Sequence, residues 1–256
     1  MPTTLYWVLS DIWVLTRRNL LRYIRIPQLL VFSTIQPVMF LLLFTYVFGG
    51  AIQTPTGSYI DFLIPGILVQ TVMFGSIQTG LGLAEDLNKG LIDRFRSLPM
   101  ARAAVLAGRT LSDTIRNCFV MLLMVVVGFF LGFRFHEGVG KAFFALALTI
   151  LFGFAFSWVS ATIGLIVRNP ETAQVAGFVW VFPLVFASSA FVPVETMPSL
   201  LEAFAKINPL TLTINSVRAF MLGGEIASSL WQSLAWICAI LLLFIPLSVR
   251  LYKRSA

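Results

Sequence analysis

Asp113 is the side chain in this sequence best placed for chemistry, because it is a carboxylate near the start of a long apolar stretch. An ionisable group at membrane depth is a candidate for proton transfer. Arg109 and Arg116 lie four residues before and three residues after it, so all three share one helical face. Two guanidinium groups would hold the carboxylate ionised. The spacing therefore favours a locally paired charge over a proton relay.

Other chemical motifs are absent from the sequence. It has no Walker A motif, no GxGxxG pattern, no HExxH pattern and a single histidine, His136, which is predicted to lie in an exposed loop. The group Asp93, Arg94 and Arg96 is the one candidate site for a lipid-modifying enzyme, and it lacks the acidic residues of a metal site. We expect no catalytic residue, no metal and no cofactor bound by this chain.

Residues 85–102 hold nearly all the charge between two apolar stretches, and they have a helical pattern. Apolar residues recur at steps of four, four and three, and Asp93, Arg94 and Arg96 lie away from that stripe. The stripe consists of Leu87, Leu91, Phe95 and Leu98. The pattern predicts a short amphipathic helix outside the bilayer, suited to contact with a soluble partner.

Composition indicates a polytopic membrane protein. Of the 256 residues, 58% are hydrophobic and 11% are charged, whereas a soluble domain has about 25% charged residues. We predict an all-α fold in one domain, residues 1–256, because no room is left for a second one. Since a span needs about 20 apolar residues, six are predicted. They are residues 29–48, 62–84, 105–133, 142–167, 173–191 and 230–249.

The distribution of Lys and Arg predicts the orientation. Fourteen of these residues fall on one side of the six spans and four on the other. The smaller group is Arg134, Lys141, Lys206 and Arg218. By the positive-inside rule, both termini and residues 85–102 are cytoplasmic. The bases lie beside the spans, so the net charge of +7 indicates topology and not nucleic-acid binding.

Two further elements complete the expected fold. Residues 1–27 predict an amphipathic interfacial helix, with Arg18, Arg22 and Arg25 on a basic face, ended by Pro27. This helix either only lies on anionic lipid or also touches a cytoplasmic partner. Residues 192–224 are broken by prolines yet rich in apolar residues. We expect them to form two half-buried, re-entrant helices, at 199–207 and 212–222, on the outer side.

The second span is unusually polar. Gln70 and Gln78 either bond to neighbouring helices or face a substrate path. The spans otherwise contain almost no charge, whereas secondary transporters usually carry ion-coupling groups within them. Energy delivered by a separate cytoplasmic protein at residues 85–102 explains why the spans carry almost no charge. It also explains why the charged residues are gathered in that amphipathic segment.

Three segments of the sequence resemble the membrane subunits of ABC-2 type transporters, the group that contains daunorubicin-resistance permeases and polysaccharide exporters. The first matches an acidic-x-x-x-Gly-x-(Leu/Ile)-(Glu/Asp)-Arg-x-Arg-x-x-Pro pattern through Asp86, Gly90, Ile92, Asp93, Arg94, Arg96 and Pro99. The second is residues 168–174, Arg-Asn-Pro-Glu-Thr-Ala-Gln. The third comprises Phe182-Pro183, Phe191-Val192-Pro193, Met197-Pro198, Asn208-Pro209-Leu210 and Arg218. The resemblance covers essentially the whole chain, with Met100 and Ala101 where the family commonly has Val-Ser.

This resemblance implies a permease subunit of an ATP-driven exporter in a bacterial inner membrane. Two ATPase subunits would bind ATP and magnesium, and a second copy or a homologous permease would complete the complex. Residues 85–102 would be the coupling helix, with Asp86 to Pro99 as its contact region. The apolar walls predict an amphipathic or lipid-linked cargo, such as a drug, glycolipid or polyketide. The alternatives are a proton-coupled carrier and an integral-membrane lipid-modifying enzyme.

Overall fold

The computed structural model describes residues 5–52, 54, 58–91 and 102–254, and these residues form helices and turns without a β-strand. The helices in chain order are α1 (Leu5–Arg25), α2 (Pro27–Leu43, continued by a π-helical turn Phe44–Phe48), α3 (Tyr59–Asn88), α4 (Arg102–Phe130), α5 (Gly138–Val167), α6 (Pro170–Phe186), α7 (Ser199–Ile207), α8 (Pro209–Leu222) and α9 (Ala227–Arg254). A short 3₁₀ turn, Val194–Thr196, precedes α7. The predicted all-α class is confirmed.

The expected break between the N-terminal helix and the first span lies where it was predicted. Ile26 has φ −123° and ψ 74°, outside the helical region, and Pro27 occupies the first turn of α2. Proline suits this position because its missing N–H would have no helical acceptor there. The regular helical path is therefore interrupted at Ile26, and α2 begins at Pro27 without the loss of a helical hydrogen bond.

Five helices in the described part of the chain are long and apolar enough to cross a membrane, and α6 is a shorter apolar helix. α6 has 17 residues, which is about 26 Å at 1.5 Å per residue and slightly short of a hydrocarbon core of about 30 Å. It begins at Pro170 and ends at Phe186, so the predicted end at residue 191 is wrong. The sixth span stays a prediction.

α3 is the central helix of the bundle and packs most extensively against α5. Small residues allow the two backbones to approach closely. A Cβ atom added to Gly164 would collide with the backbone of Gly80, and one added to Gly80 would collide with Ser160. The hydroxyls of Ser76 and Ser160 lie 3.3 Å apart across this contact. This is the small-residue packing typical of membrane helices.

Local chemistry explains the turn between α5 and α6. Arg168 adopts a left-handed conformation, with φ 59°, at the end of α5. Asn169 then caps α6, because its side-chain oxygen accepts a hydrogen bond of 3.1 Å from the Thr172 N–H, and Pro170 begins the helix. The Arg168-Asn169-Pro170 segment therefore ends α5 and immediately begins α6.

The segment after α6 forms two helices, as predicted. α7 covers residues 199–207, although Pro198 and not Ser199 occupies the cap position. α8 starts at Pro209, earlier than the predicted residue 212, because Asn208 caps it by accepting from the Leu210 N–H at 2.9 Å. Gly223, with φ 100°, ends it as expected. α8 packs against α3, α5 and α9, so it is not a solvated loop; entry into a membrane stays a prediction.

Candidate functional site

The predicted coupling segment is described only at its beginning. Asp86, Leu87, Gly90 and Leu91 lie within the described residues. The remaining predicted contact residues fall outside them and stay predictions; they are Asp93, Arg94, Phe95, Arg96, Leu98 and Pro99. The structure therefore describes only the beginning of the predicted contact surface.

The base of this segment differs from the prediction. α3 continues past the predicted end of the second span to Asn88, and Gly90 then has φ 65°. A left-handed residue interrupts a helix. Leu87 therefore belongs to the long helix α3, and the expectation that Leu87 and Leu91 lie on one short helix is wrong.

Asp86 and Leu87 both face the chain's own helices. The Asp86 residue is 5% exposed, and Leu87 packs beside a cluster that includes Leu15 and Leu83. Asp86 therefore has no free surface for docking, and Leu87 is partly buried against the chain itself. The first two members of the predicted contact region therefore hold α3 in place.

α1 is attached to this end of α3 by ion pairs. Arg22 contacts Glu85 at 2.8 Å, and Arg18 contacts Asp86 at 3.4 Å. Lys89 adds a contact of 3.7 Å to Glu85. Arg25, the third predicted base, is exposed. Two of the three predicted basic residues thus bind the chain itself.

α1 also has a buried face that its sequence pattern did not indicate. Leu15, Thr16, Asn19 and Tyr23 are buried, and α1 packs along α4. Gly108 of α4 permits this contact, since an added Cβ atom would meet Leu15 at 2.8 Å. Three of these four α1 residues are polar or amphipathic, so the spacing of apolar residues does not reveal the buried face.

The expected charge pairing in α4 is present and fully buried. Arg109 Nε donates to Asp113 Oδ2 at 3.2 Å, and the Tyr23 hydroxyl donates to Asp113 Oδ1 at 2.5 Å. Arg116 donates to the Tyr23 oxygen at 3.3 Å and to the Gly75 carbonyl at 2.7 Å. The network joins α1, α3 and α4.

Tyr23 is the link in this network that the sequence did not reveal. Burial, together with the negative charge of Asp113, raises the pKa of the Tyr23 hydroxyl to about 12. The hydroxyl therefore stays protonated and donates to the carboxylate at any physiological pH. Asp113 is held by two donors from two different helices, as expected of a structural charge.

A polar cleft lies beside this network, between α1, α2, α3 and α4. It contains two neighbouring cavities of about 60 and 240 Å³ that share lining residues. Gln78 lines both cavities and Gln70 lines the smaller one, so the structure brings the two predicted path residues to one site. Ser33, Gln36 and Arg116 also line both.

A second polar junction lies at the other end of α3. Arg218 of α8 donates to the Phe62 carbonyl and to the Ser189 carbonyl, both at 2.9 Å. Its guanidinium carbon lies 3.8 Å from the centre of the Phe62 ring. Asn208 donates to the Leu184 and Ala187 carbonyls, each at 2.8 Å. These residues tie α8 to the ends of α3 and α6.

Taken together, the long apolar helices and their buried polar contacts define a multi-pass membrane protein. Within the described ranges, no group of three His, Cys, Asp or Glu residues could hold a metal ion. Arg18, Arg22 and Arg218 are charged side chains that connect different helices.

Comparison with known proteins identifies the family. The model of the ABC-2 type transporter family matches residues 10–222. The chain is 34% identical over 250 residues to the daunorubicin resistance ABC transporter permease protein DrrB1 of Streptomyces coeruleorubidus, covering 96% of this chain and 86% of that protein. This chain therefore belongs to the ABC-2 type transporter family, and it is a transporter permease of the multi-pass membrane type.

Two further relatives extend the comparison. A probable doxorubicin resistance ABC transporter permease protein, DrrC, of Mycobacterium tuberculosis is 27% identical over 244 residues, covering 94% of this chain and 87% of the relative. A putative transport permease, ycf38, of Cyanophora paradoxa is 30% identical over 221 residues, covering 84% and 75%. The resemblance drawn from the three sequence segments is confirmed.

Proposed function

We propose that this chain is the membrane subunit of an ATP-driven exporter that acts as a dimer, with a second copy or a homologous permease. Two cytoplasmic ATPase subunits would bind ATP and magnesium and drive the cycle. Family membership supports an association with ATPase subunits and with a second permease. The numbers of subunits and the exchange of the cavity between inward- and outward-facing states belong to the proposal.

The observation that carries this proposal is the linkage at the base of residues 85–102. Arg18 and Arg22 attach α1 to α3, and Tyr23 attaches α1 to Asp113 of α4. The segment leaves α3 at Asn88 and returns to α4 at Arg102. A force applied to the segment by a partner would act on three joined helices. In this proposal Leu91 and Phe95 touch the ATPase, and Asp86 and Leu87 position them.

The cargo would be an amphipathic or lipid-like molecule that passes at the interface of two permeases. Two relatives carry names that refer to daunorubicin and doxorubicin resistance, which supports a drug or a related polyketide as cargo. Gln70 and Gln78 would face the path of that cargo. Export is proposed as the direction because removal of a drug from the cell would confer the resistance for which these relatives are named.

We place the protein in a bacterial inner membrane, in contact with membrane lipids and with both termini in the cytoplasm. The asymmetry of Lys and Arg supports this orientation. A proton-coupled carrier receives less support, because the buried Asp113 is held by Arg109 and Tyr23. The enzyme alternative would rest on residues 93–96, which lie outside the described residues.

The coupling assignment is tested with Leu91→Asp and Phe95→Asp in the complex with its ATPase subunits. A buried carboxylate without a partner is costly at an apolar contact. We therefore expect loss of ATPase co-purification and of ATP-dependent transport into inverted vesicles. If the ATPase subunits still co-purify and transport is unchanged, the assignment is wrong.

The matched control is Leu200→Asp on α7. Leu200 is an apolar residue with 84% of its surface exposed, and it belongs to the opposite side of the predicted topology. The same chemical change there should leave ATPase co-purification intact. Loss of co-purification in this variant as well would mean that the readout reports folding and not coupling.

A further inference from the structure

The cleft between α1, α2, α3 and α4 has walls that are polar well inside the bundle. Gln36 comes from α2, Gln70 and Gln78 from α3, and Asn117 and Arg116 from α4. Amide and guanidinium groups in such a position need hydrogen-bond partners, because a buried polar group without one is unfavourable. The cleft is therefore suited to a polar ligand group.

Two side chains that line this cleft each carry a buried atom without such a partner. Within the described part of the chain, no hydrogen-bond partner is found for Gln70 Oε1 or for Arg116 Nε. The Gln70 residue is 3% exposed and the Arg116 residue 5% exposed, and both line the same cavity. One atom is an acceptor and the other a donor. A ligand that forms a hydrogen bond with each of these atoms must offer both a donor and an acceptor.

The charges around the cleft favour an anionic acceptor. Arg22, Arg109 and Arg116 line it together with Glu85, and Asp113 pairs with Arg109 from behind. Three positive and two negative groups leave one positive charge in excess. An oxyanion oxygen is the acceptor that binds a guanidinium most strongly, and Arg–phosphate contacts are a common form.

The mouth of the cleft adjoins an apolar surface. Phe32 lines the larger cavity and is 70% exposed, and Val31 and Ile35 of the same helix are 52% and 48% exposed. α1 also lines the larger cavity, through Arg22 and Tyr23, and its exposed face carries Trp13. Exposed tryptophan is typical of a helix at the membrane interface, where lipid phosphates lie.

We infer that this cleft binds the phosphate of an anionic, hydroxyl-bearing lipid head group. The phosphate accepts from Arg116 Nε, a head-group hydroxyl donates to Gln70 Oε1, and the acyl chains leave past Phe32. This site rests on the proposed ligand path at Gln70 and Gln78, and the phosphate and hydroxyl specify the chemistry of the ligand that uses it. Free phosphate shares part of this chemistry.

The test is equilibrium binding to the purified full-length protein in an uncharged detergent. Labelled dioctanoyl phosphatidylglycerol is the probe, with dioctanoylglycerol and inorganic phosphate as competitors. Dioctanoylglycerol has the same chains without the phosphate, and we expect it to compete at least about tenfold more weakly, since hydrogen bonds to charged groups are worth that much. Equal competition by dioctanoylglycerol would overturn the inference.

Two substitutions locate the binding site. Arg116→Lys keeps the charge and removes Nε, and Gln70→Leu removes the unpartnered oxygen at similar volume. Both should weaken phosphatidylglycerol binding about tenfold. Gln70→Leu should leave the thermal stability unchanged or raised, because it removes an unsatisfied buried atom. If both variants fold and bind within twofold of the wild type, the site is not this cleft.

Gln232→Leu is the matched control, because Gln232 is an exposed residue of α9 on a different groove. It should bind phosphatidylglycerol like the wild type. Competition by inorganic phosphate as strong as that of the lipid would assign the site to a soluble phosphate, and weaker competition assigns it to the lipid. Because binding needs neither ATPase nor transport, its failure is distinguishable from failure of the export proposal.

Discussion

Asp113 illustrates at the residue scale how a charge can be held inside an apolar bundle. Its side chain has no exposed surface, and it accepts hydrogen bonds from Arg109 and Tyr23. The attraction between the charges is offset by the loss of their hydration. Removal of one member of the Arg109–Asp113 pair is therefore costly. Replacement of both members by apolar residues is far less costly.

The first prediction concerns this pair. Asp113→Ala should lower the free energy of unfolding by about 3–5 kcal/mol, because it leaves the Arg109 charge buried without its carboxylate. The double variant Arg109→Met with Asp113→Leu should recover most of that loss. The measurement is reversible unfolding in mixed micelles with increasing dodecyl sulfate.

The exposed pair Glu202 and Lys206 of α7 is the control. Its charged atoms lie 2.7 Å apart, but solvent and salt screen an exposed ion pair. Glu202→Ala should therefore change the free energy of unfolding far less than Asp113→Ala does. A loss in Asp113→Ala no larger than that in Glu202→Ala would contradict the role assigned to the buried pair.

Arg218 carries the second prediction. Its guanidinium holds the start of α3 and the turn at Ser189 through two carbonyl oxygens. Lysine keeps the charge but cannot donate in a planar fork. Arg218→Lys should lower the midpoint of thermal unfolding, and it should raise the reactivity of a cysteine placed at the buried Ser189. Unchanged reactivity at that cysteine would mean that Arg218 does not close this junction.

The sequence revealed part of these sites. The spacing of Arg109, Asp113 and Arg116 predicted the paired charge correctly, since residues three and four apart share a helical face. Tyr23 could not be found in this way, because it contacts Asp113 from 90 residues away in the chain. Contacts between helices depend on their relative rotation, which a pattern within one helix does not contain.

At the scale of the helices, the crossing of α3 and α5 shows how close packing holds the bundle together. Gly164 approaches the backbone of Gly80, so a side chain at this position would force the helices apart. Membrane helices gain little from burying apolar surface against each other, and close packing supplies much of their association. The stability of the bundle should therefore depend on small residues at this crossing.

The third prediction compares two glycines of α5. Gly164→Ala should lower the free energy of unfolding by about 1–3 kcal/mol, because the added methyl group has no space. At Gly140 an added Cβ atom meets nothing within 4 Å, so Gly140→Ala should be neutral or stabilising by about 1 kcal/mol. Micellar unfolding of both variants checks this. Equal effects would show that space at the crossing is not limiting.

The existence of a helix could be predicted where the length of an apolar segment is sufficient evidence. The ends of the helices were harder to predict, because local capping determines them. α3 continues to Asn88, and α6 ends at Phe186. The apolar spacing assigns Leu87 to the coupling helix, because Leu87 fits a stripe with Leu91, Phe95 and Leu98. Its real place on α3 follows from Gly90, whose positive φ ends the regular helical path.

At the scale of the whole molecule, charged side chains join α3 to other helices near both of its ends. Arg18 and Arg22 bind its carboxyl-terminal end, Arg218 binds its amino-terminal end, and the buried arginines of α4 contact carbonyl groups between them. Among the five long apolar helices of the described residues, α3 is the most buried. A rigid helix anchored at both ends is suited to carry a displacement from one side of the membrane to the other.

The last prediction tests the orientation and the number of spans. In a variant with Cys118→Ala and Cys238→Ala, single cysteines replace the exposed residues Gly140, Thr172, Leu200 and Lys253. The charge asymmetry predicts that a membrane-impermeant maleimide labels Gly140→Cys and Leu200→Cys in intact spheroplasts, and Thr172→Cys and Lys253→Cys only after permeabilisation. Thr172 and Leu200 flank α6, whose 17 residues are just sufficient to span if the bilayer thins locally. Labelling of both from the same side would mean that α6 does not cross, and the two termini would then lie on opposite sides of the membrane.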